Sequence, residues 1–162
     1  RGSVIPLFLE MAKTGKIPIT DIEMTRFNIT IEQGVEMVLW ALDNFLGGEI
    51  FVPKIPSYRL IDVAEAISPS SEKPIIGIRP GEKLHEEMIT KVDSFSTIDL
   101  GKFYAILPNS KYPNENYVKM NIKHEFVPRN FSYNSLENTS FLTIEEIRSL
   151  IIKNVKPSFI PL

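Results

Sequence analysis

Hydrophobic residues in the first third of the chain recur at helical spacing. Residues 4–12 are almost continuously apolar and are followed by Gly15, which predicts a helix and its end. Thr30 and Gln33 have the spacing of a capping box and predict the start of a second helix. Its apolar face repeats every three or four residues, at Val35, Val38, Leu39, Leu42 and Leu46.

Short strands are predicted between and beyond these helices. They cover residues 17–20, 26–30, 49–52 and 75–78. Pro18 favours an edge position for the first of them. Because strands this short cannot form a closed sheet alone, we expect their sheet to be completed by residues outside this sequence.

Three more helices are predicted, and the chain is expected to divide at residue 90. Ser57 is the expected N-cap of the first, a short one follows from Leu84, and Thr143 with Glu146 forms the capping box of the last. Between about residue 91 and Thr143 the sequence is rich in Asn, Ser, Pro and Tyr and is expected to be irregular. The prediction is an α/β chain with a ligand-binding part, 1–90, and an irregular extension, 91–162, that ends in a helix.

Composition excludes several classes of function. The 162 residues are 43% hydrophobic and can bury one sizeable core. A net charge of -2 gives no reason to expect nucleic acid or an anionic membrane as a partner. The sequence has no cysteine and only two histidines, His85 and His124, so disulfides and a zinc or iron site are not expected.

The ends of the chain and its apolar runs lead to an expectation about location. No apolar run approaches the roughly 20 residues of a membrane span. The first residues, Arg1-Gly2-Ser3, lack an initiator Met and the features of a signal peptide. We expect a cytoplasmic protein and a sequence cut from a longer one.

The segment from Arg79 to Lys83, Arg-Pro-Gly-Glu-Lys, carries the clearest candidate chemistry. An arginine at the end of a strand, before a rigid Pro-Gly turn, can hold a diphosphate because its planar fork bonds two oxygens at once. Glu82 can accept hydrogen bonds from ribose hydroxyls. A surface turn with a solvated Arg-Glu pair explains the same residues, and without further context it is the preferred interpretation.

Other polar and aromatic residues are weaker candidates. Arg26 precedes the second predicted helix and either approaches the same phosphates or forms a structural salt bridge. Lys16 adjoins a strand whose backbone can pair with a flat base. His85 and His124 are interpreted as surface or capping residues, and Trp40 as a packing residue.

Several motifs together resemble the polysaccharide-biosynthesis dehydratases of the extended short-chain dehydrogenase/reductase superfamily. They are RGSVIPLF (1–8), IPITD (17–21), MTRF (24–27), GGEIFVPK (47–54) and IRPGEKLHE (78–86). The resemblance extends to about Ile89, returns at YNS (133–135) and FLT (141–143), and is absent from residues 91–130. Its nearest branch is the inverting UDP-N-acetylglucosamine 4,6-dehydratases of the pseudaminic acid pathway.

This resemblance implies a fold and an activity. It implies an NAD(P)-binding Rossmann-like fold whose N-terminal Rossmann half, which holds NADP, lies outside this sequence. It also implies UDP-N-acetylglucosamine as substrate, oxidation at carbon 4, loss of water across carbons 5 and 6, and hydride return to carbon 6. The glycine-rich motif and the Tyr-x-x-x-Lys pair of the family have no counterpart here, so no catalytic residue is assigned and the chain alone is expected to be inactive.

The resemblance implies that particular residues bind the substrate. At Arg79 it favours diphosphate binding over the surface turn that was preferred above. The residues it assigns to the substrate are Val4, Ile5, Pro6, Leu7, Phe8, Lys16, Arg26, Arg79 and Glu82. It also implies a homo-oligomer in the intact enzyme. Three alternatives stay open: a nucleotide-sugar-binding module without catalysis, part of a membrane-anchored capsule or lipopolysaccharide dehydratase, and part of a UDP-sugar 4-epimerase.

Overall fold

The computed structural model describes residues 4–108, 117 and 122–162, and it confirms an α/β chain. The helices are α1 (Val4–Ala12), α2 (Ile31–Asn44), α3 (Leu60–Ile67) and α4 (Ile144–Asn154). The strands are β1 (Thr25–Phe27), β2 (Ile50–Pro53), β3 (Ser57–Arg59), β4 (Glu87–Ile89), β5 (Thr97–Asp99), β6 (Phe103–Ile106), β7 (Glu125–Phe126) and β8 (Tyr133–Asn134). A 3₁₀ helix, Asp93–Ser96, precedes β5.

The chain forms two compact units, each built from segments that are distant in sequence. The first unit contains Arg1–Asn28, Pro56–Glu86 and Asn138–Leu162, and the second contains Ile29–Ile55 and Glu87–Glu137. The division predicted at residue 90 follows a change in composition, whereas the compact units follow pairings between remote segments, which composition does not reveal.

In the first unit, three helices enclose the core, and β1 and β3 form an antiparallel pair. The buried members of this core are Phe8, Ala12, Ile17, Ile19, Met24, Leu60, Val63, Ala64, Ala66, Ile67, Ile147, Ile151 and Phe159. The helix α3 contributes most, because Leu60, Val63, Ala64 and Ile67 recur at helical spacing and face one way. This cluster fixes α1 against α3 and so fixes the wall of the site described below.

The predicted capping boxes at Thr30 and Thr143 are both present. The predicted cap at Ser57 is wrong: α3 begins after Arg59, which makes no side-chain capping bond. Ser57 instead lies in β3, where its N–H donates to the Ser140 carbonyl and its hydroxyl accepts from Asn138 Nδ2. The N–H and the hydroxyl of Ser57, which a capping box would use, are therefore both engaged in tertiary hydrogen bonds.

The second unit contains a four-stranded antiparallel sheet in the order β2-β6-β5-β7. The residues from about 91 to Thr143 were expected to be irregular, but β5, β6, β7 and β8 lie within them. These strands have only two to four residues. Burial alternates along β6, Phe103–Ile106, but an alternation over so few residues is not recognisable in the sequence. The predicted strand at 49–52 is β2, and its partner β6 belongs to this chain.

The predicted strands at residues 17–20 and 75–78 are extended but form only isolated parallel bridges, between Lys16 and Glu72 and between Ile19 and Ile75. The short helix predicted from Leu84 is wrong. The Leu84 carbonyl, which a helix would use internally, accepts from the Thr25 N–H at 3.1 Å. Hydrogen bonding to β1 therefore replaces the expected helical turn.

Trp40 packs inside the second unit, as expected. Its ring lies edge-on to Phe51 at 5.2 Å and tilted against Phe103 at 4.7 Å. None of the helices in the described residues is long and apolar enough to cross a bilayer.

Tyr133→Phe should destabilise the protein by about 1–3 kcal/mol, because it removes two buried hydrogen bonds to the Ile55 backbone. The Tyr133 hydroxyl donates to the Ile55 carbonyl and accepts from the Ile55 N–H, both at 2.9 Å. Urea unfolding measures the change. Tyr104→Phe is the matched control, since the Tyr104 hydroxyl makes no hydrogen bond with the described residues, and equal losses in the two variants would contradict the prediction.

Candidate functional site

The first unit contains an open pocket of about 360 Å³. One face of α1 forms its apolar wall. The segments that precede β1 and α3 form its floor, and the loop before Leu84 forms its polar rim. The lining residues are Val4, Leu7, Phe8, Met11, Pro18, Thr20, Met24, Arg26, Tyr58, Leu60, Ile76, Arg79 and Glu82. A mainly apolar lining with a few charged and polar groups suits a ligand with an anionic group and a flat or partly apolar body.

The structure brings together six of the nine predicted site residues. They are Val4, Leu7, Phe8, Arg26, Arg79 and Glu82. The helical period of α1 explains the selection: positions 4, 7, 8 and 11 share a face, so Ile5 turns to the core cluster and Pro6 lies at the exposed surface. The Lys16 ammonium pairs with the exposed Glu72 carboxylate at 2.9 Å and is not part of the lining. The assignment of all nine residues to the substrate stays a prediction, and Ile5, Pro6 and Lys16 lie outside the lining of this pocket.

Pro80 and Gly81 are the central residues of a tight turn on the pocket rim. The Glu82 N–H donates to the Arg79 carbonyl at 3.0 Å, and Gly81 has a φ of +81°. A proline followed by a residue with positive φ is the pattern of a type II turn, which explains the glycine. The Arg79 N–H donates to Glu82 Oε2 at 3.2 Å and closes the turn from the other side.

The Arg79 guanidinium projects from this turn and is exposed. Within the part of the chain that the structure describes, it makes no hydrogen bond or ion pair. A guanidinium presents five N–H donors in a planar fork and binds phosphate through two of them at once. Arg79 is therefore a cation on the pocket rim whose donors are available to a ligand.

Arg26 differs from Arg79, because its donors are used within the protein. Its Nη1 donates to the Leu84 carbonyl at 3.0 Å and its Nη2 to the Lys83 carbonyl at 2.8 Å. The carboxylates of Glu82 and Glu86 lie farther away, at 3.9 and 3.8 Å. The side chain is only 19% exposed. Of the two interpretations left open by the sequence, the structural one describes the observed contacts of Arg26.

Tyr58 is a lining residue that the sequence did not reveal. It lies opposite Arg26 in the β1–β3 pair, which places the two side chains on the same face. Burial raises the pKa of Tyr58 to about 12, with a further rise from the nearby Glu86 carboxylate and an opposing effect of Arg26. Its hydroxyl is therefore protonated at neutral pH and can donate to a ligand. Only the strand register could have identified it.

The two histidines have structural contacts. His85 Nδ1 lies 2.9 Å from the Thr25 hydroxyl, and His124 Nδ1 lies 3.0 Å from the Ile122 carbonyl. Among the residues described, no group of three or more His, Asp or Glu side chains has the geometry to hold a metal ion.

Arg26→Ala should destabilise the first unit by about 1–3 kcal/mol, because the Lys83 and Leu84 carbonyls lose hydrogen bonds from a charged donor. Arg26→Lys should recover only part of this loss, since one ammonium cannot reproduce the guanidinium fork. Urea unfolding measures both effects, and so does hydrogen exchange at the Thr25 amide, which donates to the Leu84 carbonyl. Arg79→Ala is the control and should change stability by less than about 0.5 kcal/mol; a similar loss in that variant would refute the distinction between the two arginines.

Comparison with known proteins identifies relatives that share this pocket-bearing region. The chain is 43% identical over 157 residues to the UDP-N-acetylglucosamine 4,6-dehydratase (inverting) of Campylobacter jejuni, with 93% of this chain and 47% of that protein covered. It is 34% identical over 157 residues to the UDP-glucose 4-epimerase of Rickettsia canadensis, with 94% of this chain and 46% of that protein covered. The chain thus spans about half the length of the curated relatives it matches.

A solved structure and a family model agree with these relatives. The X-ray structure of Pen from Bacillus thuringiensis superimposes with a TM-score of 0.77 at 31% identity, covering 94% of this chain and 46% of that one. The family model described as polysaccharide biosynthesis protein matches residues 1–108, two thirds of the chain. The resemblance read from the motifs is therefore confirmed, and the chain belongs to the polysaccharide biosynthesis protein family.

Proposed function

We propose that this chain is the UDP-sugar-binding part of an inverting UDP-N-acetylglucosamine 4,6-dehydratase. One observation carries the proposal: the exposed Arg79 guanidinium, which makes no polar contact with the described residues, lies on the rim of a pocket lined by α1 and is carried by a type II turn. The 43% identity to the Campylobacter jejuni dehydratase supports the choice of substrate and reaction.

The pocket accounts for recognition of a nucleoside diphosphate. The Arg79 fork provides bidentate donors for the diphosphate. Glu82 has lone pairs available for ribose hydroxyls, because among the described residues Oε2 accepts one hydrogen bond, from the Arg79 N–H, and Oε1 lies 3.9 Å from Arg26 Nη2. The protonated Tyr58 hydroxyl supplies a further donor within the same lining.

The reaction proposed for the intact protein requires a dinucleotide cofactor. The described residues do not form a site for one. A dinucleotide is usually cradled by a glycine-rich turn between a strand and a helix N-terminus, and the described residues contain no such turn. When bound, NADP supplies hydride transfer to and from the sugar. We infer that the part of the intact enzyme not covered by this chain, a Rossmann half, holds NADP and the catalytic residues.

Three further parts of the proposal rest on the family resemblance. They are a cytoplasmic location, a homo-oligomeric intact enzyme, and a product that enters pseudaminic acid synthesis for surface glycans or flagellin. In this proposal the chain by itself binds UDP-sugar without converting it. Binding and orientation of the diphosphate end are its contribution to the reaction.

A UDP-sugar 4-epimerase is the second candidate, supported by the 34% identity to the Rickettsia enzymes. The same pocket serves both functions, because both act on a UDP-sugar. Mass spectrometry of the product of the intact enzyme distinguishes them: a dehydratase product lacks one water, whereas an epimer has the mass of its substrate.

Arg79→Ala should weaken UDP binding by about 1.5–3 kcal/mol, the range for hydrogen bonds to a charged group, which corresponds to roughly 10- to 160-fold in Kd. Isothermal titration calorimetry of the chain with UDP and with UDP-N-acetylglucosamine measures it. Arg129→Ala, an exposed arginine outside the pocket lining, is the matched control and should bind like the unmodified chain. An unchanged Kd for Arg79→Ala would reject the diphosphate assignment.

A further inference from the structure

Tyr58 brings a polar group into the mainly apolar pocket of the first unit. Its side chain belongs to the lining, and in the β1–β3 pair it lies opposite Arg26. The Tyr58 hydroxyl makes no hydrogen bond with the residues that the structure describes. A hydroxyl that is removed from water without a partner costs free energy, which a ligand with a matching group recovers on binding. This hydroxyl is therefore available to recognise a ligand.

The charges around Tyr58 favour a neutral ligand group over a phosphate at this position. Burial raises the pKa of Tyr58, and the Glu86 carboxylate raises this pKa more than the Arg26 guanidinium lowers it. The potential that these two charges produce at the hydroxyl is therefore negative. An anionic oxygen placed there would be repelled, whereas a neutral acceptor would not. Since the hydroxyl is protonated at neutral pH, we expect it to donate to such an acceptor.

Arg26 is a neighbour of both Tyr58 and Glu82. Its side chain shares one face of the β1–β3 pair with Tyr58, and its Nη2 lies 3.9 Å from Glu82 Oε1. The guanidinium donates to the Lys83 and Leu84 carbonyls, so it is engaged within the protein. Tyr58 and Glu82 both line the pocket. The pocket thus offers a ligand one hydroxyl donor and one carboxylate acceptor close to the same arginine.

A ribose hydroxyl matches this combination of donor and acceptor. A hydroxyl group donates one hydrogen bond and can accept others. It can therefore donate to the Glu82 carboxylate and accept from the Tyr58 hydroxyl at the same time. A 2′-deoxyribose has no hydroxyl at carbon 2′ and would leave the Tyr58 donor unpaired in a desolvated position. Sites with such a polar group reject ligands that lack its partner, because the unpaired group stays buried.

We infer that the Tyr58 hydroxyl, together with Glu82, binds the 2′-hydroxyl of the nucleotide and makes the pocket selective for ribonucleoside over 2′-deoxyribonucleoside diphosphates. This inference rests on the proposed function, which assigns Glu82 to the ribose and Arg79 to the diphosphate. Tyr58 is in this role a specificity-determining residue. It is not a catalytic residue, because the ribose that it contacts is separated from the reacting carbons of the sugar by the diphosphate.

Isothermal titration calorimetry of the chain with UDP and with 2′-deoxy-UDP tests the inference. The unmodified chain should bind UDP at least about tenfold more tightly, because 2′-deoxy-UDP lacks the partner of both groups. Tyr58→Phe should weaken UDP binding about three- to tenfold, the range for one neutral hydrogen bond, and should change 2′-deoxy-UDP binding less than about twofold. Tyr104→Phe is the matched control and should keep both Kd values, since Tyr104 lies outside the pocket lining.

The selectivity between the two nucleotides separates recognition from a merely structural role. Equal losses of UDP and 2′-deoxy-UDP binding in Tyr58→Phe would overturn the inference, because they would place the hydroxyl against the base, the diphosphate or the protein itself. A lower urea midpoint for Tyr58→Phe than for the unmodified chain would also count against it. If Arg79→Ala weakens UDP binding while Tyr58→Phe leaves the selectivity unchanged, only this inference fails. If the unmodified chain binds neither nucleotide, the proposed function fails and this inference fails with it.

Discussion

The hydrogen bonds from Arg26 to the Lys83 and Leu84 carbonyls are the constraint on which the site depends. Together with the Thr25 N–H bond to the Leu84 carbonyl, they fasten the loop after the Pro80-Gly81 turn to β1 and so position the rim of the pocket. The same guanidinium opposes the effect of Glu86 on Tyr58, so it shapes the electrostatics of the pocket as well as its geometry. The two arginines thus differ in role: Arg26 supports the loop, whereas Arg79 is the residue proposed to bind the ligand.

Local signals in the sequence were sufficient for the helices whose ends are capped by their own residues. Thr30 with Gln33 and Thr143 with Glu146 satisfy backbone groups within one turn, so both helix starts were predictable. Ser57 and Leu84 misled prediction because their hydrogen-bonding groups are used by distant segments. The strands after residue 96 were missed for a related reason. In two to four residues the alternation of apolar and polar positions is too short to recognise, and the register of these strands is set by partners elsewhere in the chain.

Prediction of the site shows the same division. Arg79 and Glu82 belong to a contiguous motif, and family resemblance identified them where the residues alone favoured a surface turn. Within residues 4–8, the helical period places Val4, Leu7 and Phe8 in the pocket lining and directs Ile5 to the core cluster. The family resemblance did not distinguish among these residues. Tyr58 has no motif around it. Its place in the lining follows only from its pairing with Arg26 across two strands.

The Pro80-Gly81 turn has a thermodynamic consequence for recognition. Proline restricts its own φ, and the paired hydrogen bonds between Arg79 and Glu82 fix the rest of the turn before any ligand arrives. The backbone beneath the guanidinium therefore loses little conformational entropy on binding, and only the side-chain torsions of the arginine need to be ordered. A single solvent-exposed cation can in this way contribute selectivity for a diphosphate, because the direction of its fork is constrained by a backbone that is already in place.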